Sequence, residues 1–161
     1  DMTNKTIKWI GQQKSLAPEK PFFIYFAPGA THAPHHVPLE WADKYKGKFD
    51  EGYDAIREKT FARQKELGVI PADSKLTELN PEIPRWSDVP EKFKPVLSRE
   101  MEVYAGFLEY TDHHVGRIVE TLDTLQALDN TLIYYIVGDN GASAEGGVNG
   151  CFNEMSYFNG I

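Results

Sequence analysis

Thr131-Leu132-Ile133-Tyr134-Tyr135-Ile136-Val137 is an almost unbroken apolar and aromatic run that stops abruptly at Gly138-Asp139-Asn140-Gly141. Such a run, rich in β-branched residues, predicts a strand buried on both faces, as inside a parallel sheet. The flanking glycines let the backbone turn sharply. In open α/β sheets, ligands bind outside the carboxyl ends of the strands. Adjacent acid and amide oxygens at such a tip suit a hard cation such as calcium or magnesium. An ordinary Asn-Gly turn has the same local sequence.

A second run of this kind, Pro21-Phe22-Phe23-Ile24-Tyr25-Phe26-Ala27, predicts another buried strand, with Pro21 at the tolerant first position. After Pro28 and Gly29 comes Ala30-Thr31-His32-Ala33-Pro34-His35-His36-Val37-Pro38. Prolines stiffen such a loop. A histidine held in it can donate to an anion or ligate a metal, or it can simply be exposed.

Helical patterns fill most of the remainder. Thr3 or Asn4 caps a first helix to about Gln13, and a short one is expected around 38–45. A third covers 49–67, with Tyr53, Ile56, Thr60, Arg63 and Leu67 on one side, Gly68 as its C-cap and Pro71 as a stop. Ser98 is expected to cap a long amphipathic helix carrying Met101, Tyr104, Leu108, Thr111, Val115, Ile118, Leu122 and Leu125 and ending near Ala127. Asp112, His113 and His114 lie inside it, which favours packing or surface roles. Between these helices, residues 70–97 show no lasting period and contain five prolines, reading as a pocket wall, a lid or a surface crossing tethered by Trp86 and Phe93. Strand, helices, strand is the order of an α/β protein with parallel strands.

Composition closes off several function classes. The net charge of −7 over 161 residues argues against broad binding to nucleic acid or anionic membranes. No apolar run is long enough to span a bilayer. The single Cys151 excludes an internal disulfide and a cysteine zinc cluster, and it has no neighbouring base to make it a nucleophile. The glycine-rich stretch 142–150 has neither the spacing nor the Lys-Ser/Thr ending of a phosphate-binding loop, and it is no dinucleotide fingerprint.

Several ordered blocks carry a family resemblance. They are 20–27 followed by Thr31-His32-Ala33-Pro34, Gly52-Tyr53-Asp54-Ala55-Ile56-Arg57, Arg63 to Pro71, Tyr104 to Asp112, Val115-Gly116-Arg117, and Gly138-Asp139-Asn140-Gly141. Together they resemble the type I sulfatases, the arylsulfatase group of the alkaline-phosphatase-like superfamily. The resemblance implies a partial sulfatase fold, a mostly parallel sheet flanked by helices, of which residues 1–161 are an internal segment of the catalytic domain. It implies hydrolysis of sulfate esters, on small molecules or sulfated glycans, through a formylglycine nucleophile and a divalent cation. Asp139 and Asn140 match the late pair of ligands to that cation, usually calcium, with magnesium as the alternative. His32 matches the histidine that contacts the substrate sulfate. His35 and His36 match no family catalytic residue and are assigned to the pocket entrance. A periplasmic or secreted location is common in the family.

The chain also departs from the pattern. No Cys-x-Pro-x-Arg or Ser-x-Pro-x-Arg motif is present, the early aspartate pair is missing, and no lysine follows Lys94. The nucleophile, a formylglycine made from Cys or Ser, is therefore expected upstream. By itself, the segment is expected to be inactive and to expose apolar sheet edges and helix faces. Two other readings stand beside this one: a phosphatase or phosphodiesterase of the same superfamily, and a non-catalytic, degenerate sulfatase-like binding domain.

Overall fold

The computed structural model describes residues 1–138 and 154–160, with the side chains of Glu154 and Tyr157 left aside. Five α-helices are formed among them: α1 Met2–Leu16, α2 Leu39–Asp43, α3 Tyr53–Glu66, α4 Lys94–Thr124 and α5 Glu154–Phe158. Single 3-10 turns occur at Trp86–Asp88 and Leu128–Asn130. No described helix is long and apolar enough to cross a membrane.

The helix ends follow local chemistry, though not always the expected residues. Asp1, rather than Thr3 or Asn4, holds the N-cap position of α1, and its carboxylate pairs with Lys5 at 2.7 Å. Helix α4 begins one turn before Ser98, with proline in its opening turn, where the missing N–H has no helical partner to lose. Ser98 is instead buried inside the helix, and its hydroxyl donates to the Phe49 carbonyl at 3.3 Å. At the end of α3, Gly68 sits at φ +71°; the Val69 N–H donates to the Gln64 carbonyl at 3.0 Å and the Gly68 N–H to that of Lys65 at 3.1 Å. This is the paired closure that glycine favours. The end of α4 closes in the same way, with Gln126 in the left-handed position at φ +54°.

The small core joins α1 to the end of α4. Ile10, Leu122 and Ala127 are buried, and Phe22, Ile24, Ile118 and Leu128 pack against them. Residues 21–27 therefore lie across α1 and α4 with one face inward. Their outer face is open, with Phe23 87 % and Tyr25 84 % exposed. In 131–137 every residue after Thr131 is exposed, from Ile133 at 43 % to Ile136 at 90 %, the odd-numbered side chains less so than the even. Both segments keep the two-residue alternation of extended chain, but no ladder joins strands among the described residues. The expected sheet buried on both faces is thus not confirmed among the described residues. Burial on both faces needs a helical layer on each side, and α1 and α4 cover only one.

Helix α2 sits deeper than its length suggests. A Cβ on Gly106 of α4 would lie 2.7 Å from the Ala42 Cα and N, so the two backbones are in direct contact. Beside them Glu102 is buried; it accepts the Gly47 N–H at 2.7 Å and pairs with Arg99 at 2.7 Å, while Arg99 reaches Asp43 at 2.8 Å. Burial disfavours the charged form of Glu102, but the bonds from Arg99 and Gly47 outweigh it and hold the carboxyl below its ordinary range.

The inward face of α3 also differs from expectation. Thr60, Arg63 and Leu67 are exposed, whereas Tyr53, Arg57 and Phe61 are half-buried. The cause is the irregular segment 70–93, which straps across the start of the helix. The Trp86 ring occupies the space a Cβ on Gly52 would need, at φ +85°. The Asp54 carboxylate accepts the Trp86 N–H at 2.9 Å, Tyr53 donates to the Pro84 carbonyl, and Arg57 donates to the Thr77 carbonyl and hydroxyl at 2.6 and 2.7 Å.

Two glycines of α4 should respond oppositely to alanine. Gly106→Ala meets the α2 backbone and should destabilise by about 1–3 kcal/mol. Gly116→Ala meets nothing within 4 Å and should stabilise by about 1 kcal/mol through helix propensity. Thermal melts of both variants check the contrast. A carboxyl with a lowered folded pKa contributes stability that is present above its unfolded value of about 4.3 and is lost as pH falls through the folded value. Wild-type stability should therefore drop below about pH 4 more steeply than that of Glu102→Gln, as measured by urea unfolding across that range.

Candidate functional site

The histidine loop, 28–38, is suspended between two anchored pieces. Before it, Phe22 and Ile24 hold the extended segment on the core. After it, α2 is locked against α4 at Gly106. Within it, the His32 N–H donates to the Gly29 carbonyl at 2.9 Å and the His36 N–H to that of Pro34 at 2.8 Å. The Ala30–Thr31 and Ala33–Pro34 peptide bonds are cis.

The three loop histidines are placed differently. His32 is exposed, with Nδ1 2.8 Å from the Ala33 carbonyl. A carbonyl only accepts, so Nδ1 carries the hydrogen and Nε2 is the nitrogen that gains or releases a proton. His36 is exposed as well. His35 is half-buried, its ring 6.3 Å from that of Tyr104 and 6.2 Å from that of Phe107. Tyr104 and Phe107 lie three apart on α4, the spacing that puts two rings on one helical face. The sequence places Tyr104 on the apolar side of α4 and both residues in one family-like block, but carries no signal that they seat His35.

Other ionisable groups nearby take structural roles. The Arg117 guanidinium, always a donor, reaches His114 Nδ1 at 3.0 Å and the Asn4 amide oxygen at 2.8 Å. Burial, then Arg117 and His113, push His114 below its usual range, so it is neutral at neutral pH. His113 packs against Trp41 at 5.2 Å and His114 against Tyr110 at 4.4 Å, the packing roles expected from their helical position. Burial, with the Asp112 carboxylate beside it, raises the Tyr135 hydroxyl, which ties the extended segment 131–138 to α4. A cavity of about 250 Å³ opens near the start of the loop, lined by Thr3, Phe26, Pro28, Tyr110, His114 and Arg117 among others. None of His32, His35 and His36 lines it.

Among the described residues, no three of His, Cys, Asp and Glu converge so as to hold a metal ion. The expected ligands Asp139 and Asn140 lie outside the described residues, as does Cys151. The described groups alone therefore do not form a cation site.

Comparison with known proteins gives these positions a family context. The Sulfatase family model matches residues 1–159. An uncharacterized sulfatase of Schizosaccharomyces pombe is 35 % identical over 136 residues, which cover 84 % of this chain and 24 % of that protein. An arylsulfatase of Klebsiella aerogenes is 32 % identical over 135 residues, covering 84 % of this chain and 28 % of its own length. The chain thus spans about a quarter of the length of these two relatives. With His32 on its anchored loop and the Gly138-to-Gly141 motif both inside the matched span, the chain belongs to the sulfatase family.

Proposed function

We propose that this chain is the part of a sulfatase catalytic domain that supplies the sulfate-contacting histidine and two metal ligands, in a protein that hydrolyses sulfate esters of small molecules or glycans. The family match across residues 1–159, with these motifs inside it, carries the reading. His32 acts through Nε2: in its imidazolium form it donates a hydrogen bond or a proton to the sulfate or to its leaving oxygen, and on giving up that proton the ring is left neutral with its hydrogen on Nδ1. The contact of Nδ1 with Ala33 supports this role, because it orients the ring and assigns the tautomer. His35 and His36 belong to the entrance of the same pocket. Asp139 and Asn140 supply oxygen ligands to calcium, with magnesium as the alternative; when bound, such a cation polarises a sulfate oxygen. The nucleophile, formylglycine, comes from outside these residues, since no Cys/Ser-x-Pro-x-Arg motif occurs in them. A periplasmic or secreted setting goes with this reading.

The test is turnover of 4-nitrophenyl sulfate and 4-nitrophenyl phosphate by the full-length protein that carries this chain. Sulfate turnover should dominate, disappear on chelation and return with calcium. His32→Ala should lower kcat by about 10²- to 10⁴-fold. Preference for the phosphate ester would assign a phosphatase instead. Absence of turnover on either ester would leave a non-catalytic binding domain.

A further inference from the structure

The loop that carries His32 presents three imidazoles, and only His35 turns inward. The backbone bonds within the loop are local, joining His32 to Gly29 and His36 to Pro34. Such bonds shape the loop without fixing it relative to the helices. The His35 ring supplies that link. It lies against two rings of α4, tilted by 49° to Tyr104 and nearly perpendicular, at 79°, to Phe107. Both separations fall in the range where aromatic edges and faces attract. His35 is also close enough to Glu100, one turn earlier on α4, to influence its ionisation. The seat itself is braced, because the same stretch of α4 is in backbone contact with α2 at Gly106 and holds the turn after α2 through Glu102.

We infer that His35 is a positioning residue: by seating its ring on Tyr104 and Phe107, it sets the height and orientation of the His32 loop over helix α4. The inference rests on the proposed role of His32, three residues earlier. The reaction chemistry stays with His32, and the contribution of His35 is the geometry of a flat ring between two others. Phenylalanine can supply such a ring and alanine cannot. A misplacement of about 1 Å in a catalytic group can cost about a hundredfold in rate, so a loose seat should be visible in turnover.

The experiment compares His35→Ala, His35→Phe and, as a stability control away from the loop and its anchors, Tyr53→Ala in the full-length protein. It has two readouts: kcat and KM for 4-nitrophenyl sulfate, and the ¹⁵N shifts of the His32 imidazole, which report its tautomer. His35→Ala should lower kcat at least about tenfold with little change in KM, and should shift the His32 nitrogens toward a mixture of tautomers. His35→Phe should keep both close to wild type. Tyr53→Ala, which removes a ring packed on Trp86 at 5.3 Å, should lower the melting temperature while leaving kcat and the His32 shifts unchanged. The inference is overturned if His35→Ala leaves both readouts unchanged. It is equally overturned if His35→Phe is as damaged as His35→Ala, which would mean the imidazole itself is needed, or if Tyr53→Ala reproduces the effect. If the wild-type protein turns over no sulfate ester, the proposed function fails, and the His32 shifts still decide the role of His35.

Discussion

The contact on which the rest of the structure depends is the approach of α2 to α4 at Gly106. There the two backbones meet with no side chain between them, because residue 106 has none. Dispersion and burial at such a contact gain from close packing, and a single added methyl group would separate the helices. The contact is also polar. A carboxylate buried next to a helix crossing costs free energy unless it is paired and hydrogen-bonded. Glu102 is both, through Arg99 and the Gly47 N–H. These bonds are directional, so they specify where the turn after α2 must lie, which a purely apolar contact would leave looser.

That contact also explains how the histidine loop is held at its far end. The chain enters the loop from a segment packed on the Ile10–Leu122 core and leaves it into α2. Both ends are tied to α4, about halfway apart along its 31 residues. Residues 28–38 then have little freedom beyond their own turns, and the His35 ring lies in the span between the two anchors. The same helix therefore organises the core at one end and the histidine loop nearer the other. The strap 70–93 is fastened to α3 instead, through Asp54, Arg57 and Trp86.

Much of the helical architecture was legible in the sequence. The closure of α3 at Gly68 followed from glycine's access to the left-handed region, and the period of α4 was visible from Met101 to Leu125, about seven turns. The inward faces were less legible. Apolar spacing pointed to Met101, Leu108 and Leu125, yet these are exposed, and the α4 residues buried in their place include Ser98, Glu102 and Gly106. A hydrophobic pattern cannot identify a face built from a small, a polar and a charged residue, because each is buried by its partner on α2 or the following turn and not by its own hydropathy. The start of α4 was misplaced for a related reason. Ser98 has the chemistry of a cap, but its hydroxyl is taken by the Phe49 carbonyl, a partner 49 residues away.

By itself, the sequence determined the kinds of elements and the chemistry available: helices from periodicity and end signals, extended runs from two-residue alternation, and the histidines, the acid–amide tip and the absent nucleophile motif from residue identity. These are local properties, set by backbone sterics and side-chain chemistry within a few residues. Tertiary structure alone decided which faces turn inward, that residues 21–27 are covered on one side only, and that the His35 ring packs on α4 while His32 and His36 are exposed. Those outcomes depend on which distant surface arrives to exclude water. That is a property of pairs of elements, and no window of the chain contains both members.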